Sequence, residues 1–195
     1  KEAVANLMMY CGMAVQMHYT KDASSASNSK IPDALKNYFG YSKGTRYVKR
    51  TNYSDDDWDN LIYNEIASGR PVIYGGQTKS KSGHSFIIHG YDGAGKYAIN
   101  WGWGGYQDNY FTLDNLTPSD QGTGGGKTGE GYNFEQEAVI NLAGEGLKSR
   151  GYGEEIFLKP LYQRVEAQTN PALHMLEERE QGVPMEDIIR EYAEV

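Results

Sequence analysis

The chain has 195 residues, which fits one domain or one domain plus an appendage. Its formal net charge is −7 with no run of basic residues, which argues against a nucleic-acid partner. Hydrophobic residues make up 38% of the chain, enough for a core, but no apolar run is long enough to cross a bilayer, so we expect no membrane partner. The single cysteine, Cys11, excludes an internal disulfide and a cysteine-based metal site, and we expect neither a metal nor a cofactor.

The first forty residues predict two helices. Over residues 3–19, apolar residues recur at helical spacing and form one face: Val4, Leu7, Met8, Cys11 and Val15. A polar stretch of small residues, "TKDASSASNS", follows, and Ser29 is a candidate cap for a second helix that ends before Gly40. Because the chain opens inside a helical pattern, we expect that a further segment precedes it.

A third helix and then a series of strands follow. Ser54 is a good N-cap for "DDDWDNLIYNEIAS", whose three aspartates lie in the first turn, where the helix dipole favours negative charge. From residue 71 the pattern changes to strands, in "PVIYGG", "HSFIIHGYD", "KYAINWGW", "YFTLDNL" and "EQEAVINLA". Helices first and strands afterwards indicate an α+β protein with an antiparallel sheet.

The composition changes again near residue 143. "GEGLKSRGYG" is typical of a linker, and "PALHMLEEREQG" and "PMEDIIREYAEV" predict two short, charged helices. We therefore divide the chain into one domain over residues 1–143 and a linker with a mostly helical tail over residues 144–195, to which we assign no role.

Residues 83–106, "GHSFIIHGYDGAGKYAINWGWGGY", hold two of the four histidines and two of the three tryptophans. His84 begins a strand beside a flexible loop, and His89 lies five residues further along, so the two should point to opposite faces of the sheet and are not expected to share a metal. A histidine inside a strand is ordinarily structural, and this is the better interpretation for His89.

The strands "HSFIIHGYD" and "KYAINWGW" are expected to form a hairpin that brings Asn100 near His84. An amide oxygen can accept the Nδ1 proton of an imidazole, which fixes the tautomer and leaves Nε2 as a base, the arrangement of Cys-His-Asn enzymes. Trp101 can shield such a pair from water. The alternative interpretation is a tight turn with two indoles in the core.

The segment "SGHSFIIHGYDGAGKYAINWGWGGYQDNYFTLDNLTPSDQGTGGG" resembles the C-terminal half of the streptopain family of cysteine peptidases, peptidase family C10. Gly-His-Ser-Phe, Asn-Trp-Gly-Trp-Gly-Gly, a Leu-Asn-Pro-like segment and a glycine-rich loop occur in the order of that family. Upstream, "ANLMMYCGMAVQMHYTKDASSASNSKIPDALKNYFGY" resembles its helix, serine-rich loop and next helix. The resemblance covers roughly residues 1–143 and implies the C-terminal part of a papain-like fold.

The resemblance also implies a reaction and a site. The protein would hydrolyse peptide bonds of a protein or peptide substrate through a thioester, and would be secreted or bound to the cell surface. His84 would be the general base, oriented by Asn100 or Trp101. The glycine-rich loop over residues 121–131 would be a mobile flap. Four residues would contact the substrate: Ser25, Gly83, Gly124 and Gly125.

The nucleophile is where the chain departs from the family. In the family it lies upstream of the matching segments, in a Gly-Cys-Val-Ala-Thr-like motif, whereas Cys11 aligns with an apolar position of the next helix. We expect Cys11 to be buried on the apolar helix face and inert. The nucleophilic cysteine and the oxyanion hole are then expected upstream or on another chain, and Cys11 as the nucleophile is a second interpretation.

Two other functions stay open. The chain can be a catalytically inactive relative of the family, a binding or inhibitory module that has kept the cleft and lost the thiol. It can also be a carbohydrate-binding module, in which the two neighbouring tryptophans would be exposed and stack on sugars.

Overall fold

The structure is a computed structural model that describes residues 2–21 and 24–144. These residues fall into two compact units, residues 2–40 and residues 41–144. The predicted tail lies outside the described residues beyond Gly144, and the proposed boundary at residue 143 stays a prediction. Within the described ranges, no helix has both the length and the apolar character that crossing a bilayer requires.

The first unit contains two helices and a small hairpin. Its elements are α1 (Glu2–Ala14), β1 (His18–Tyr19), β2 (Ser24–Ser25), a 3-10 turn (Asn28–Lys30) and α2 (Ile31–Tyr38). β1 and β2 pair antiparallel. Ser27, not the expected Ser29, caps the 3-10 turn that leads into α2, and its Oγ accepts a hydrogen bond from the Ser29 backbone N–H at 3.4 Å.

The apolar face predicted for the first helix is exposed. Val4, Leu7 and Met8 are 62%, 54% and 70% exposed, and Cys11 is exposed as well, whereas Met13 is 5% exposed. The expectation that Cys11 is buried is therefore wrong. Helical spacing identifies the residues that share a face, but it does not say whether another element covers that face.

The second unit is an antiparallel sheet with one helix. Its elements are β3 (Arg46–Lys49), a 3-10 turn (Arg50–Asn52), α3 (Asp55–Ala67), β4 (Val72–Gln77), β5 (Gly83–Tyr91), β6 (Tyr97–Asn100), β7 (Asn109–Phe111) and β8 (Phe134–Ile140). The six strands lie in the order β3-β8-β4-β5-β6-β7, and every pairing is antiparallel. The predicted α+β class is confirmed.

α3 begins and ends where its sequence predicts. The Ser54 hydroxyl accepts a hydrogen bond from the Asp57 backbone N–H at 3.2 Å, and three aspartates occupy the first turn. Gly69, with φ of +72°, follows the helix in the left-handed conformation that a C-terminal glycine adopts readily. Trp58 and Ile62 are fully buried in the core of this unit.

The core beneath α3 is rich in aromatic side chains whose polar atoms are satisfied. Tyr74, fully buried, accepts a hydrogen bond from Trp58 Nε1 at 2.7 Å and donates one to Gln136 at 2.9 Å. Phe86 packs against Tyr74 with ring centroids 5.5 Å apart, and against Trp101 at 4.6 Å. This row of rings runs along one face of the sheet towards the end at which β5 begins.

Candidate active site

His84 is the second residue of β5 and lies opposite Gly76 of β4. Its half-buried ring stands on the same face of the sheet as Phe86, two residues further along the strand. Gly76 must be glycine, because a Cβ atom there would come within 2.3 Å of the Tyr132 carbonyl oxygen. That close approach lets Tyr132 reach the ring of His84.

One hydrogen bond fixes the imidazole. His84 Nε2 lies 2.8 Å from the Trp101 carbonyl oxygen. A carbonyl oxygen only accepts, so Nε2 carries the proton and the lone pair of the neutral ring is on Nδ1. Burial lowers the pKa of His84 below its ordinary value of 6.5, and the hydrogen bond to Trp101 offsets part of that shift. The neutral ring is therefore a base through Nδ1.

Four aromatic rings surround the imidazole. The ring of Trp103 is 4.9 Å from that of His84 between centroids and nearly parallel to it, at 24°. Tyr132 follows at 5.3 Å, with Phe86 at 6.2 Å and Trp101 at 6.5 Å. These rings limit the orientations that His84 can take and keep water from much of its surface.

The hydrogen bond expected from Asn100 is made by the Trp101 carbonyl instead. Asn100 pairs with Ile87 in the sheet, so alternation places its side chain on the face opposite to His84. Its Oδ1 accepts a hydrogen bond from the Gly102 backbone N–H at 2.8 Å. The expected ring nitrogen is corrected too, since Nε2 makes the hydrogen bond and the lone pair lies on Nδ1.

Trp101 is held in place on both its backbone and its side chain. It is fully buried, its backbone N–H donates to Asp108 Oδ1 at 3.0 Å, and its indole Nε1 donates to the Gln107 carbonyl at 3.0 Å. Neither Asp108 nor Gln107 was predicted from the sequence to belong to the site. A carboxylate that accepts from the backbone seven residues away depends on the path of the turn, which residue types alone do not reveal.

The glycine-rich loop is hydrogen-bonded to residues around His84. Trp103 Nε1 donates to the Thr123 carbonyl at 3.1 Å, and the Gly126 N–H donates to the Tyr132 hydroxyl at 3.2 Å. Tyr132 in turn donates to the Gln121 side chain, whose Nε2 donates to the Glu130 carbonyl at 2.9 Å. The loop therefore has defined contacts in the structure, and its expected motion as a flap stays a prediction.

The four residues expected to contact substrate have different surroundings. Gly83 is the exposed first residue of β5, and no atom of the part of the chain that the structure describes lies within 4 Å of its Cβ position. Gly124 is exposed with φ of +77°, and a Cβ atom on Gly125 would lie 2.7 Å from the Gln121 side chain. Ser25 lies in the first unit, exposed and paired with His18. Their contacts with a substrate stay predictions.

The other histidine of the β5–β6 hairpin and the lone cysteine lack the surroundings of catalytic groups. His89 is exposed, at a shift of register between Ile88 and Gly90, and not packed inside as expected of a structural histidine. Cys11 lies in the last turn of α1, where the helix dipole disfavours a thiolate, and partial burial raises the pKa of its thiol. Within the described ranges, no group of three or more His, Cys, Asp or Glu side chains is placed to hold a metal ion.

Comparisons with known proteins find that the chain is similar to cysteine peptidases. Residues 1–111 match the model of the Peptidase C10 family, a range that contains Ser25, Gly83, His84, Asn100 and Trp101. Streptopain from Streptococcus pyogenes is 42% identical over 142 residues, which are 73% of this chain and 35% of streptopain. The thiol protease/hemagglutinin PrtT of Porphyromonas gingivalis is 35% identical over 141 residues, 72% of this chain and 16% of that protein.

Solved structures agree with the sequence comparisons. Active wild-type interpain A, a cysteine protease of Prevotella intermedia, matches with a TM-score of 0.63 and 32% identity, over 73% of this chain and 57% of that one. A prointerpain A fragment matches with a TM-score of 0.59 and 34% identity, over 74% of this chain and 43% of that one. The expected papain-like fold is confirmed. The chain spans about a third of the length of the streptopain that it matches.

Proposed function

The chain belongs to the peptidase C10 family, and on that premise we propose that it supplies the general base and part of the substrate cleft of a cysteine endopeptidase. The nucleophilic cysteine comes from an upstream segment or from another chain. The substrate is a protein or a peptide, and the enzyme acts outside the cell, secreted or at the cell surface. The observation that carries the proposal is the hydrogen bond from His84 Nε2 to the Trp101 carbonyl.

His84 deprotonates the thiol through Nδ1. The proton passes from sulfur to Nδ1, and the imidazolium keeps its Nε2–H bond to the Trp101 carbonyl, which is oriented for the positive charge. A lowered pKa favours the neutral ring before the reaction at pH 7, so the base is available. The carbonyl thus does for this histidine what the amide oxygen does in a Cys-His-Asn enzyme.

The remaining steps follow from the chemistry of a thiolate. Sulfur attacks the carbonyl carbon of the peptide bond, and the C–N bond breaks as Nδ1–H of the imidazolium protonates the leaving amine. Water then attacks the thioester with its proton taken by Nδ1, the C–S bond breaks, and the thiol is regenerated. Backbone N–H groups of the part that bears the cysteine stabilise the oxyanion.

Cys11 is a poor candidate for the nucleophile. Its thiol has a raised pKa and lies in the last turn of a helix, whereas activated cysteines have lowered pKa values at helix N-termini or beside cations. The same observation supports an alternative proposal, a catalytically inactive family member that binds or inhibits. A carbohydrate-binding function is disfavoured, since Trp101 is fully buried and Trp103 packs against His84.

Substitution of His84 tests the proposal. In the peptidase assembled with its cysteine-bearing part, His84→Ala should lower kcat/KM for a peptide substrate by about 10²-fold or more, because the thiolate is no longer generated. His89→Ala is the matched control from the same strand, and its exposed side chain should be dispensable for activity and for folding. Equal activity of the two variants, with both folded, would contradict the role of His84.

A further inference from the structure

The indole of Trp103 lies between two features that the proposed mechanism treats separately, the general base and the glycine-rich loop. Its ring is nearly parallel to the imidazole of His84, with centroids 4.9 Å apart, and is nearer to it than the rings of Tyr132, Phe86 and Trp101. Its Nε1–H donates to the Thr123 carbonyl of the loop at 3.1 Å. One half-buried side chain therefore contacts both.

Gly122 makes the contact between the loop and the indole especially close. A Cβ atom at this position would lie 2.3 Å from Cγ, 2.4 Å from Cδ2 and 2.8 Å from Cδ1 of Trp103. Cβ atoms are essentially never found this close to other heavy atoms, so the loop backbone at Gly122 lies directly against the ring. Any residue other than glycine must displace either the loop or the indole.

We propose that Trp103 is a positioning residue that couples the glycine-rich loop to His84. The backbone of Gly122 and Thr123 sets the place of the indole, and the indole sets the plane in which the imidazole meets the Trp101 carbonyl. The same aromatic face attracts the imidazolium that forms when His84 takes the proton of the thiol. Closure of the loop over a substrate then completes the alignment of the general base, which makes turnover depend on the loop.

The expected effect on kcat rests on the proposed function, whereas the expected effect on the His84 imidazole rests on the geometry alone. Gly122→Ala should move the NMR signals of the His84 imidazole in the chain itself, although the atoms nearest to the added methyl group belong to Trp103. In the assembled peptidase it should lower kcat by about tenfold with a change in KM of less than about twofold, because a misaligned base slows the chemical step. Gly144→Ala is the control, since no atom of the described residues lies within 4 Å of its Cβ position.

A double-mutant cycle tests the coupling directly. Because phenylalanine is smaller than tryptophan, the shifts and the loss of kcat caused by Gly122→Ala should largely disappear in a Trp103→Phe background. The proposal is overturned if Gly122→Ala leaves the His84 signals and kcat as in Gly144→Ala, or if its effects are equally large with phenylalanine at position 103. Should Gly122→Ala not fold, unchanged His84 signals in Trp103→Leu would overturn the proposal equally well.

The two proposals fail separately. Full activity of His84→Ala would end the general-base proposal, whereas the NMR comparison needs no nucleophile and would still report whether the loop controls the imidazole. Conversely, a loss of activity in His84→Ala together with unchanged imidazole signals in Gly122→Ala would keep the general base and remove the coupling.

Discussion

At the scale of single residues, a backbone carbonyl and not a side chain orients His84. From the sequence, Asn100 is expected in this role, because an amide beside a histidine is the familiar pattern of Cys-His-Asn enzymes. The register of β5 and β6 puts Asn100 opposite Ile87 and thus on the other face, while the Trp101 carbonyl comes within 2.8 Å of Nε2. Residue types led us to propose a site at His84, but the contact that the imidazole makes depends on a register that they do not specify.

The role predicted for Cys11 also depends on the surroundings of a single side chain. We expect Cys11→Ser to leave the activity of the assembled peptidase unchanged, and iodoacetamide to label Cys11 slowly at neutral pH. The reason is that the thiol, though exposed, has a raised pKa and so carries little thiolate. Labelling rates measured by mass spectrometry across a pH series check this. Rapid labelling below pH 7, together with loss of activity on Cys11→Ser, would return this residue to the position of nucleophile.

At the scale of secondary structure, α3 and its connections to the sheet are the best predicted part of the fold. The Ser54 cap, the aspartates of the first turn and Gly69 after the last turn are local signals, and the structure uses all of them. The end of α1 was predicted five residues too late, at Tyr19 instead of Ala14, and Val15, the last residue of the predicted apolar face, already lies outside the helix. Local patterns also could not say that the apolar face of α1 is exposed.

A carboxylate links the end of α3 to the end of β8, and its titration should be visible in the stability. Glu65 accepts hydrogen bonds from Arg70 Nε at 2.7 Å and from the Asn141 backbone N–H at 2.9 Å. Burial alone would raise the pKa of Glu65, but these hydrogen bonds outweigh it and lower the pKa below its ordinary 4.5. A carboxylate whose pKa is lowered by folding stabilises the folded state at pH values above its pKa in the unfolded chain. That contribution is lost as pH falls through its pKa in the folded chain.

We therefore expect Glu65→Gln to reduce the free energy of unfolding at pH 7 by about 1 kcal/mol, since the pair with Arg70 is partly exposed. Urea unfolding over a pH series should show the difference from the parent shrinking as pH is lowered from about 5 to about 3. Glu135→Gln, at an exposed position on β8, is the control. A difference that stays constant across this range would mean that the carboxylate charge is not what stabilises the contact.

At the scale of the whole molecule, the strand order was beyond what the sequence can predict. The hairpin of β5 and β6 follows from a short glycine-containing turn, whereas β8 inserts between β3 and β4 from far along the chain. That insertion brings Tyr132, which lies two residues before β8, beside His84. Tyr132 was not singled out for this reason, because its proximity to His84 arises only when distant segments meet. Trp103 follows β6 in the local hairpin, and only the structure shows that its ring lies against His84.

The most direct test of the account is the protonation state of the His84 ring, read by 15N NMR of the imidazole in the folded chain near pH 8. We predict that the neutral ring carries its proton on Nε2, held by the Trp101 carbonyl, and that Nδ1 has the lone pair. His89, being exposed, gives the comparison spectrum of a solvated histidine. A proton found on Nδ1 of His84, with Nε2 bare, would contradict the hydrogen bond on which the proposed base depends.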